Sequence, residues 1–139
     1  MLLVDDDDRV LLFRGFDPAN PVGRWWFTPG GGRDADEPAT VAAARELAEE
    51  TGLALAPTEF GDPVYSDVTE FDFDHENYQQ EQDFFLVRVP RWQVVTDGFD
   101  DVEQSSIDGH RWWTVDELEA TDEVYYPRVL PELLRRLGC

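Results

Sequence analysis

The sequence predicts one mixed α/β domain in which β-strands alternate with two α-helices. Short apolar runs bounded by turn residues recur along the chain, as is typical of strands. Two segments have helical composition or period instead: the Ala- and Glu-rich residues 38–51 and the amphipathic residues 127–137. No repeat or linker interrupts the 139 residues, so we expect a single domain over 1–139. These observations together favour layers of sheet and helix.

Six apolar segments are predicted to be strands, because turn-forming residues stop each of them. They are residues 2–4, 10–13, 25–28, 64–71, 83–89 and 110–115. The aspartates at 5–8 suit the turn of a first hairpin. Polar or Gly/Pro-rich segments between strands are predicted to be irregular, with 72–82 as a loop or strand extension: residues 16–24, 72–82 and 96–109.

The segment 38–51 gives the strongest helix signal in the chain. Pro38 suits the first turn of a helix, and Gly52 suits its C-terminal stop. At 100° per residue, five residues share one side, which we predict faces the core. They are Val41, Ala44, Leu47, Ala48 and Thr51. Ala42 and Ala43 lie one turn before Glu46, Glu49 and Glu50, near the same side of the helix, and their small side chains leave room above it.

Glu46, Glu49 and Glu50 lie on the side of this helix opposite to the predicted core face. Carboxylates at i, i+3 and i+4 repel one another by roughly 0.2–0.5 kcal/mol a pair. Arg45 can reach Glu49 one turn later and relieve part of this repulsion. Clustered carboxylates are also the ligands that a hard cation such as Mg²⁺ requires. The spacing alone leaves both a metal site and a solvated acidic face open.

The composition is strongly acidic, and this bears on partners. The chain has 31 Asp and Glu against 11 basic residues, all arginine, which gives a net charge of −20. We therefore expect no nucleic-acid polymer and no anionic membrane as a partner. The single cysteine, Cys139, forms no internal disulfide. With no signal-peptide pattern and no apolar run of about 20 residues, we expect a cytoplasmic protein.

One spaced motif matches a known pattern at every specified position. The chain runs Gly31, five residues, Glu37, seven residues, and then Arg45-Glu46-Leu47-Ala48-Glu49-Glu50-Thr51-Gly52-Leu53. This resembles the Nudix box, G-x5-E-x7-R-E-U-x-E-E-x-G-U with U apolar. Residues 26–32 before the box and 112–118 near the end also resemble the family, so the resemblance spans most of the domain.

The resemblance implies a Nudix-type α/β/α sandwich with a mixed β-sheet. It also implies a divalent-cation-dependent hydrolase that cleaves a phosphoanhydride bond in a nucleoside diphosphate linked to another moiety. The cofactor would be Mg²⁺, with Mn²⁺ as an alternative, and the partner a small-molecule nucleotide. Nucleoside triphosphates, nucleotide sugars and ADP-ribose-like substrates stay open, and a homodimer is compatible with the sequence.

The resemblance also implies roles for particular residues. It assigns the catalytic cations to the box glutamates Glu46, Glu49 and Glu50. Arg45 would orient one of them through an ion pair, and Glu37 would support the site from near the helix start. Gly31 would permit a tight turn and a close backbone approach. The family often adds a glutamate from a loop before the late Trp-containing strand. Glu103 fits that position, as a ligand, as a general base, or as an exposed residue without a role.

Other interpretations of the same residues stay open. A non-catalytic Nudix-fold nucleotide-sensing or interaction module is the main alternative, although such relatives typically lose box glutamates. A prenyl diphosphate isomerase of the same superfamily needs a catalytic cysteine, and a cation buffer predicts binding without turnover. Some aromatic residues could stack on a base or pack in the core: Trp25, Trp26, Tyr65 and Tyr78. Some arginines could bind phosphate or lie on the surface: Arg14, Arg24, Arg88 and Arg111.

Overall fold

The computed structural model describes residues 1–30 and 36–139. The predicted glycine of the box, Gly31, lies outside these residues. The strands are β1 Leu2–Val4, β2 Val10–Asp17, β3 Asn20–Phe27, β4 Tyr65–Phe73, β5 Glu76–Phe84, β6 Leu86–Arg88, β7 Ile107–Trp113 and β8 Tyr125–Tyr126. The helices are α1 Ala39–Thr51, α2 Asp101–Ser106, α3 Val115–Ala120 and α4 Leu130–Arg136, with a 3₁₀ turn at Pro57–Glu59.

Strand β2 lies at the centre of a mixed six-stranded sheet. It pairs antiparallel with β1, β3 and β7, while β6 pairs parallel with β1 and β8 parallel with β3. The first four residues of β2, Val10 to Phe13, have no exposed surface, because both faces of the sheet are covered. The predicted first hairpin is confirmed, since Val4 pairs with Val10 across the aspartate turn.

The two sheet faces bury two different cores, because successive strand residues point to opposite sides. Leu2, Val4, Val10 and Leu12 pack with α3 and α4 residues such as Leu118 and Leu133. Leu3, Leu11 and Phe13 pack on the other face with Leu47 of α1. Burying one such side chain stabilises the fold by roughly 1.5–3 kcal/mol. The predicted α/β/α sandwich with a mixed sheet is confirmed.

Helix α1 forms where the sequence predicts it, but the predicted core face is only partly right, since Leu47 and Thr51 are buried as predicted. Val41 is 40% exposed and Ala48 is exposed, whereas Ala43 and Glu50 are buried beside Leu47. The buried face is thus rotated by roughly a quarter of a turn. The predicted core face was chosen only from the side of the helix that carries the most apolar residues. Small residues at 42 and 43 let the helix pack closely, and this turns Glu50 inwards.

The C-terminal end of α1 is fixed by neighbouring backbone. Gly52 has φ +78° and donates its N–H to the Ala48 carbonyl, so it ends the helix as predicted. The Thr51 carbonyl accepts from the Val95 N–H and from the Trp92 indole N–H. The segment 92–98 therefore crosses the end of α1 and leads directly into α2.

Residues 16–24 were predicted to be a loop but form paired strands, whereas residues 72–82, predicted as a loop or strand extension, extend the strands. Residues 16–24 form the outer part of the β2–β3 hairpin, in which the Asp17 carboxylate accepts the Ala19 N–H at 2.9 Å and closes the turn. Residues 72–82 belong to a two-stranded ribbon, β4–β5, that turns at Asp74 and His75 with positive φ. Both segments are polar because they project beyond the core. Low hydrophobicity therefore gave the wrong prediction for 16–24 and two alternatives for 72–82.

The predicted irregular segment 96–109 is also partly wrong. It contains α2, and β7 begins at Ile107, three residues before the predicted strand. The final predicted helix is shorter than expected, since α4 begins at Leu130 rather than at residue 127. Within the described residues, no helix combines the length and the apolar character needed to span a membrane.

The segment 92–98 approaches α1 so closely that only glycine fits at position 98. A Cβ on Gly98 would lie 2.6 Å from the Glu49 carbonyl oxygen and 2.9 Å from the Glu49 Cα. We expect Gly98→Ala to destabilise the fold by about 1–3 kcal/mol in urea unfolding, because helix backbone must move. Gly23→Ala is the control, since nothing lies within 4 Å of its Cβ position. Equal unfolding free energies for the two variants would contradict the close approach.

Candidate active site

Three glutamates from two helices meet at one point beside the sheet. Oxygens of Glu46 and Glu50 from α1 and of Glu103 from α2 all lie within 4.8 Å of one another. We call these three residues the acidic triad. Glu50 is only 1% exposed, whereas Glu46 and Glu103 are half-buried. The structure thus brings together two box glutamates and the predicted glutamate outside the box.

Glu49 is not in the acidic triad. Its side chain is 44% exposed, and it lies on the solvent side of α1 near Arg45. The expected side-by-side arrangement of Glu46, Glu49 and Glu50 is therefore only partly present, because α1 is rotated from its predicted orientation. The role of Glu49 as a cation ligand stays a prediction.

Backbone and capping contacts fix the buried and half-buried carboxylates. The Gly30 N–H donates to Glu50 Oε2 at 2.8 Å. Glu103 is the third residue of α2, and its Oε1 accepts the Asp100 N–H at 3.1 Å while Asp100 Oδ1 accepts the Glu103 N–H at 2.8 Å. This capping box orients Glu103 towards α1. The Asp-x-x-Glu pattern at 100–103 is the sequence signal for α2, although 96–109 was predicted to be irregular.

Arg45 links three glutamates around the helix. Its Nη2 and Nε bind the two carboxylate oxygens of Glu37 at 3.0 and 3.2 Å. Its Nη1 donates to Glu46 Oε1 at 2.9 Å and lies 3.6 Å from Glu49 Oε2, as the sequence analysis expected for the i+4 pair. The hydrogen bonds with Glu37 raise the pKa of Arg45, and the Glu46 charge adds to the effect. These contacts support the predicted positioning of Glu46 by Arg45 and Glu37.

The acidic triad is electrostatically costly as it stands. Burial raises the pKa of Glu50 to about 10, and the hydrogen bond with Glu103 and the charges of Glu46 and Glu103 act in the same direction. The hydrogen bond from the Gly30 N–H opposes the shift. Burial likewise raises the pKa of Glu46, although Arg45 offsets part of it. Carboxylates so close and so buried favour either a shared proton or a bound cation.

The donor set fits a hard divalent cation. The acidic triad presents carboxylate oxygens only, and among the described residues no arginine is paired with Glu50 or Glu103. Oxygen ligands suit Mg²⁺, Mn²⁺ or Ca²⁺, and Mg²⁺ sites typically keep positions for water and substrate oxygens. A cation here would replace the missing positive charge that the buried Glu50 needs.

The acidic triad opens into a cleft of about 1240 Å³. Ala39, Ala42 and Ala43 of α1 line it, so the predicted free space above the helix is present. Other walls come from the β4–β5 ribbon and from the segment 124–129 around β8. A cleft of this size accommodates a nucleotide-sized molecule.

The structure separates the aromatic candidates. Trp26 is buried and packs edge-on against Trp113 with ring centroids 5.1 Å apart, so it belongs to the core. Trp25 and Tyr65 line the cleft, where a base could contact them. Tyr78 is 41% exposed on the ribbon and is not among the described residues that line the cleft.

The arginine candidates are all engaged in ion pairs. Arg24 lines the cleft, but its Nε binds Asp108, which also accepts from Arg14. Arg88 pairs with Asp8 and Arg111 with Glu117, and neither lines the cleft. A further arginine, Arg128, lines the cleft. It was not predicted, because no sequence pattern around it indicates a site.

Comparison with known proteins identifies the family. The model of the NUDIX domain matches residues 1–133. The chain therefore belongs to the Nudix family. Among curated protein sequences, none matches this chain.

Solved structures share the fold at low sequence identity. The MutT protein from Methanosarcina mazei Go1 is 19% identical, with 99% of this chain and 88% of that chain covered and a TM-score of 0.58. The dihydroneopterin triphosphate pyrophosphohydrolase of E. coli is 16% identical, with 99% and 92% covered and a TM-score of 0.64. The Ap4A hydrolase of C. elegans is 16% identical, with 98% and 91% covered and a TM-score of 0.54. These structural matches show that the chain shares its fold with Nudix hydrolases.

Replacing Glu50 by a side chain that cannot ionise should remove a pH-dependent loss of stability from the metal-free protein. In the folded chain, burial raises the pKa of Glu50 to about 10, against 4.5 for an ordinary glutamate. The protonated Glu50 therefore stabilises the fold fully below pH 4.5, and this contribution is lost as pH rises from 4.5 towards 10. Between pH 5 and pH 9 we expect the metal-free wild type to lose up to about 1.4 kcal/mol per pH unit more than Glu50→Gln. Thermal unfolding in chelator at both pH values measures the difference. Parallel losses in the two proteins would contradict it.

Proposed function

We propose that this protein is a divalent-cation-dependent hydrolase that cleaves a phosphoanhydride bond of a nucleoside diphosphate derivative. The single observation that supports it most is the acidic triad, in which Glu46 and Glu50 of a complete Nudix box lie beside Glu103 at a nucleotide-sized cleft. Structural neighbours named as a dihydroneopterin triphosphate pyrophosphohydrolase and an Ap4A hydrolase support the same class of chemistry.

The carboxylates of the acidic triad would hold Mg²⁺, with Mn²⁺ as the alternative. A bound cation supplies charge neutralisation at the diphosphate oxygens, which otherwise repel an incoming nucleophile. Glu46 is fixed for this task by Arg45, and Glu50 by the Gly30 N–H. Glu49 remains in the proposal as a further cation ligand on the solvent side, because it shares Arg45 with Glu46.

Glu103 completes the arrangement from outside the box. Its capping contact with Asp100 uses Oε1, and the same side chain hydrogen-bonds with Glu50. In the proposed reaction the ionised Glu103 either binds the cation or accepts the proton of the attacking water. Both roles need the negative charge, whereas the cap needs only an acceptor oxygen.

The substrate stays open among nucleoside triphosphates, nucleotide sugars and ADP-ribose-like molecules. The β4–β5 ribbon and the segment 124–129 line much of the cleft, and their sequences determine the choice. A cytoplasmic location and a homodimer both stay predictions.

Activity should require both a divalent cation and the Glu50 charge. A nucleotide panel assayed with Mg²⁺, with phosphate products identified, should give hydrolysis that excess chelator abolishes. Glu50→Gln should lower turnover about 10³-fold or more, roughly 4 kcal/mol of barrier. It should also lose most of the thermal stabilisation by Mg²⁺, which reaches about 2.7 kcal/mol at a hundredfold excess over Kd.

The matched control is Glu119→Gln, which removes one charge from the exposed surface of α3. It should keep normal turnover and normal stabilisation by Mg²⁺. Monovalent salt at the same ionic strength separates cation binding from general screening of the acidic surface. Undiminished hydrolysis in chelator, or by Glu50→Gln, would rule out the proposed function.

Glu103→Gln separates the chemical role of Glu103 from its capping role. Glutamine keeps the acceptor oxygen for the Asp100 N–H, so we expect unchanged thermal stability. We expect kcat to fall roughly 10²-fold or more with KM little changed. Asp101→Asn, one charge removed from the exposed first turn of the same helix, should stay within about twofold of wild type. If Asp101→Asn lowers kcat and Glu103→Gln does not, the role proposed for Glu103 is wrong.

A further inference from the structure

Arg128 differs from the other arginines of the chain. Among the ten arginines that the structure describes, it alone has no carboxylate within ion-pair distance. The other nine all do: Arg9, Arg14, Arg24, Arg45, Arg88, Arg91, Arg111, Arg135 and Arg136. In a chain with 31 acidic residues and a net charge of −20, an unpaired arginine is unexpected. Its position therefore needs an explanation.

Arg128 lies in the wall of the cleft that the acidic triad shares. Strand β8 pairs parallel with β3, with Tyr126 opposite Phe27, and the chain then turns away at Pro127. This places Arg128 at the same end of the sheet as Gly30, whose N–H binds Glu50. The guanidinium lies 5.4 Å from the centre of the Tyr125 ring, which restrains it without neutralising its charge.

Among the described residues of the cleft wall, the other basic groups are already engaged. The Met1 amine donates to the Pro29 carbonyl at 2.6 Å, and burial lowers its pKa to about 6. Arg24 is the other arginine there, and Asp108 binds its Nε. The described wall also contains nine carboxylates: Glu46, Glu50, Asp67, Glu70, Asp72, Glu81, Asp83, Asp100 and Glu103. A phosphate entering the cleft is repelled by these groups wherever a cation does not intervene. Arg128 provides the uncompensated positive charge in this part of the site.

We propose that Arg128 binds a phosphate group of the nucleotide substrate in the cleft that the acidic triad shares. The planar guanidinium can donate two parallel hydrogen bonds to phosphate oxygens, which suits it to this task. The inference rests on the proposed function, because it concerns the substrate of the same cleft. Arg128 is a binding residue, because it contacts the phosphate equally in the ground state and the transition state.

The test compares Arg128→Ala and Arg128→Lys with Arg136→Ala. Arg136 is exposed near the other end of α4, pairs with Glu132 and does not line the cleft. Arg128→Ala should raise KM about 10-fold or more while kcat changes less than about threefold, because uniform binding is lost. Arg128→Lys should recover part of the loss, and Arg136→Ala should stay within about twofold.

A binding measurement gives a readout without turnover. Calorimetric titration with Mg²⁺ and an α,β-methylene nucleoside diphosphate should show about 10-fold weaker binding to Arg128→Ala than to the wild type, with Arg136→Ala unchanged. If the wild type hydrolyses nucleotides but Arg128→Ala matches Arg136→Ala, Arg128 is only a surface arginine and this inference is overturned while the proposed function stands. A wild type that neither binds nor hydrolyses nucleotides overturns both.

Discussion

The burial of the Glu50 carboxylate is the constraint on which the candidate site depends. The Glu50 side chain is only 1% exposed, and the Gly30 N–H and a hydrogen bond with Glu103 offset part of the cost of burying its carboxyl group. Those contacts require α1 to lie with Ala43 and Glu50 towards the sheet, and they require α2 to lie across the opening. The fold thus holds a destabilising group in place, and a bound cation would offset the cost.

The sequence was sufficient for the layers and for the location of the site, because apolar runs and the box spacing are local patterns. The rotation of α1 was not predictable from its apolar side, since the helix packs through Ala42 and Ala43 and buries Glu50 by tertiary contact. The paired strands at 16–24 were not predicted, and those at 72–82 were predicted only as one of two alternatives, because projecting hairpins are polar. Arg128 was not predicted, because its distinguishing feature is that no carboxylate of the described residues lies within ion-pair distance. That feature is visible in the folded structure and not in the sequence.

The Glu103 side chain makes contacts with two different helices. It caps the first turn of α2 through Asp100 and contacts Glu50 of α1 through the same carboxylate. Gly98 lets the preceding segment cross the end of α1 against Glu49, so α2 begins close to the acidic triad. A substitution in 92–98 can therefore disturb the site although that segment supplies no triad residue.

The β4–β5 ribbon has a consequence for contacts between molecules. Within the described residues its two nine-residue strands pair only with each other, so each leaves an outer edge with backbone groups available to another chain. Such edges can promote strand-to-strand aggregation. The ribbon contains seven carboxylates and no lysine or arginine: Asp67, Glu70, Asp72, Asp74, Glu76, Glu81 and Asp83. Repulsion between two copies opposes edge-to-edge growth at neutral pH, and acid or high salt removes that protection.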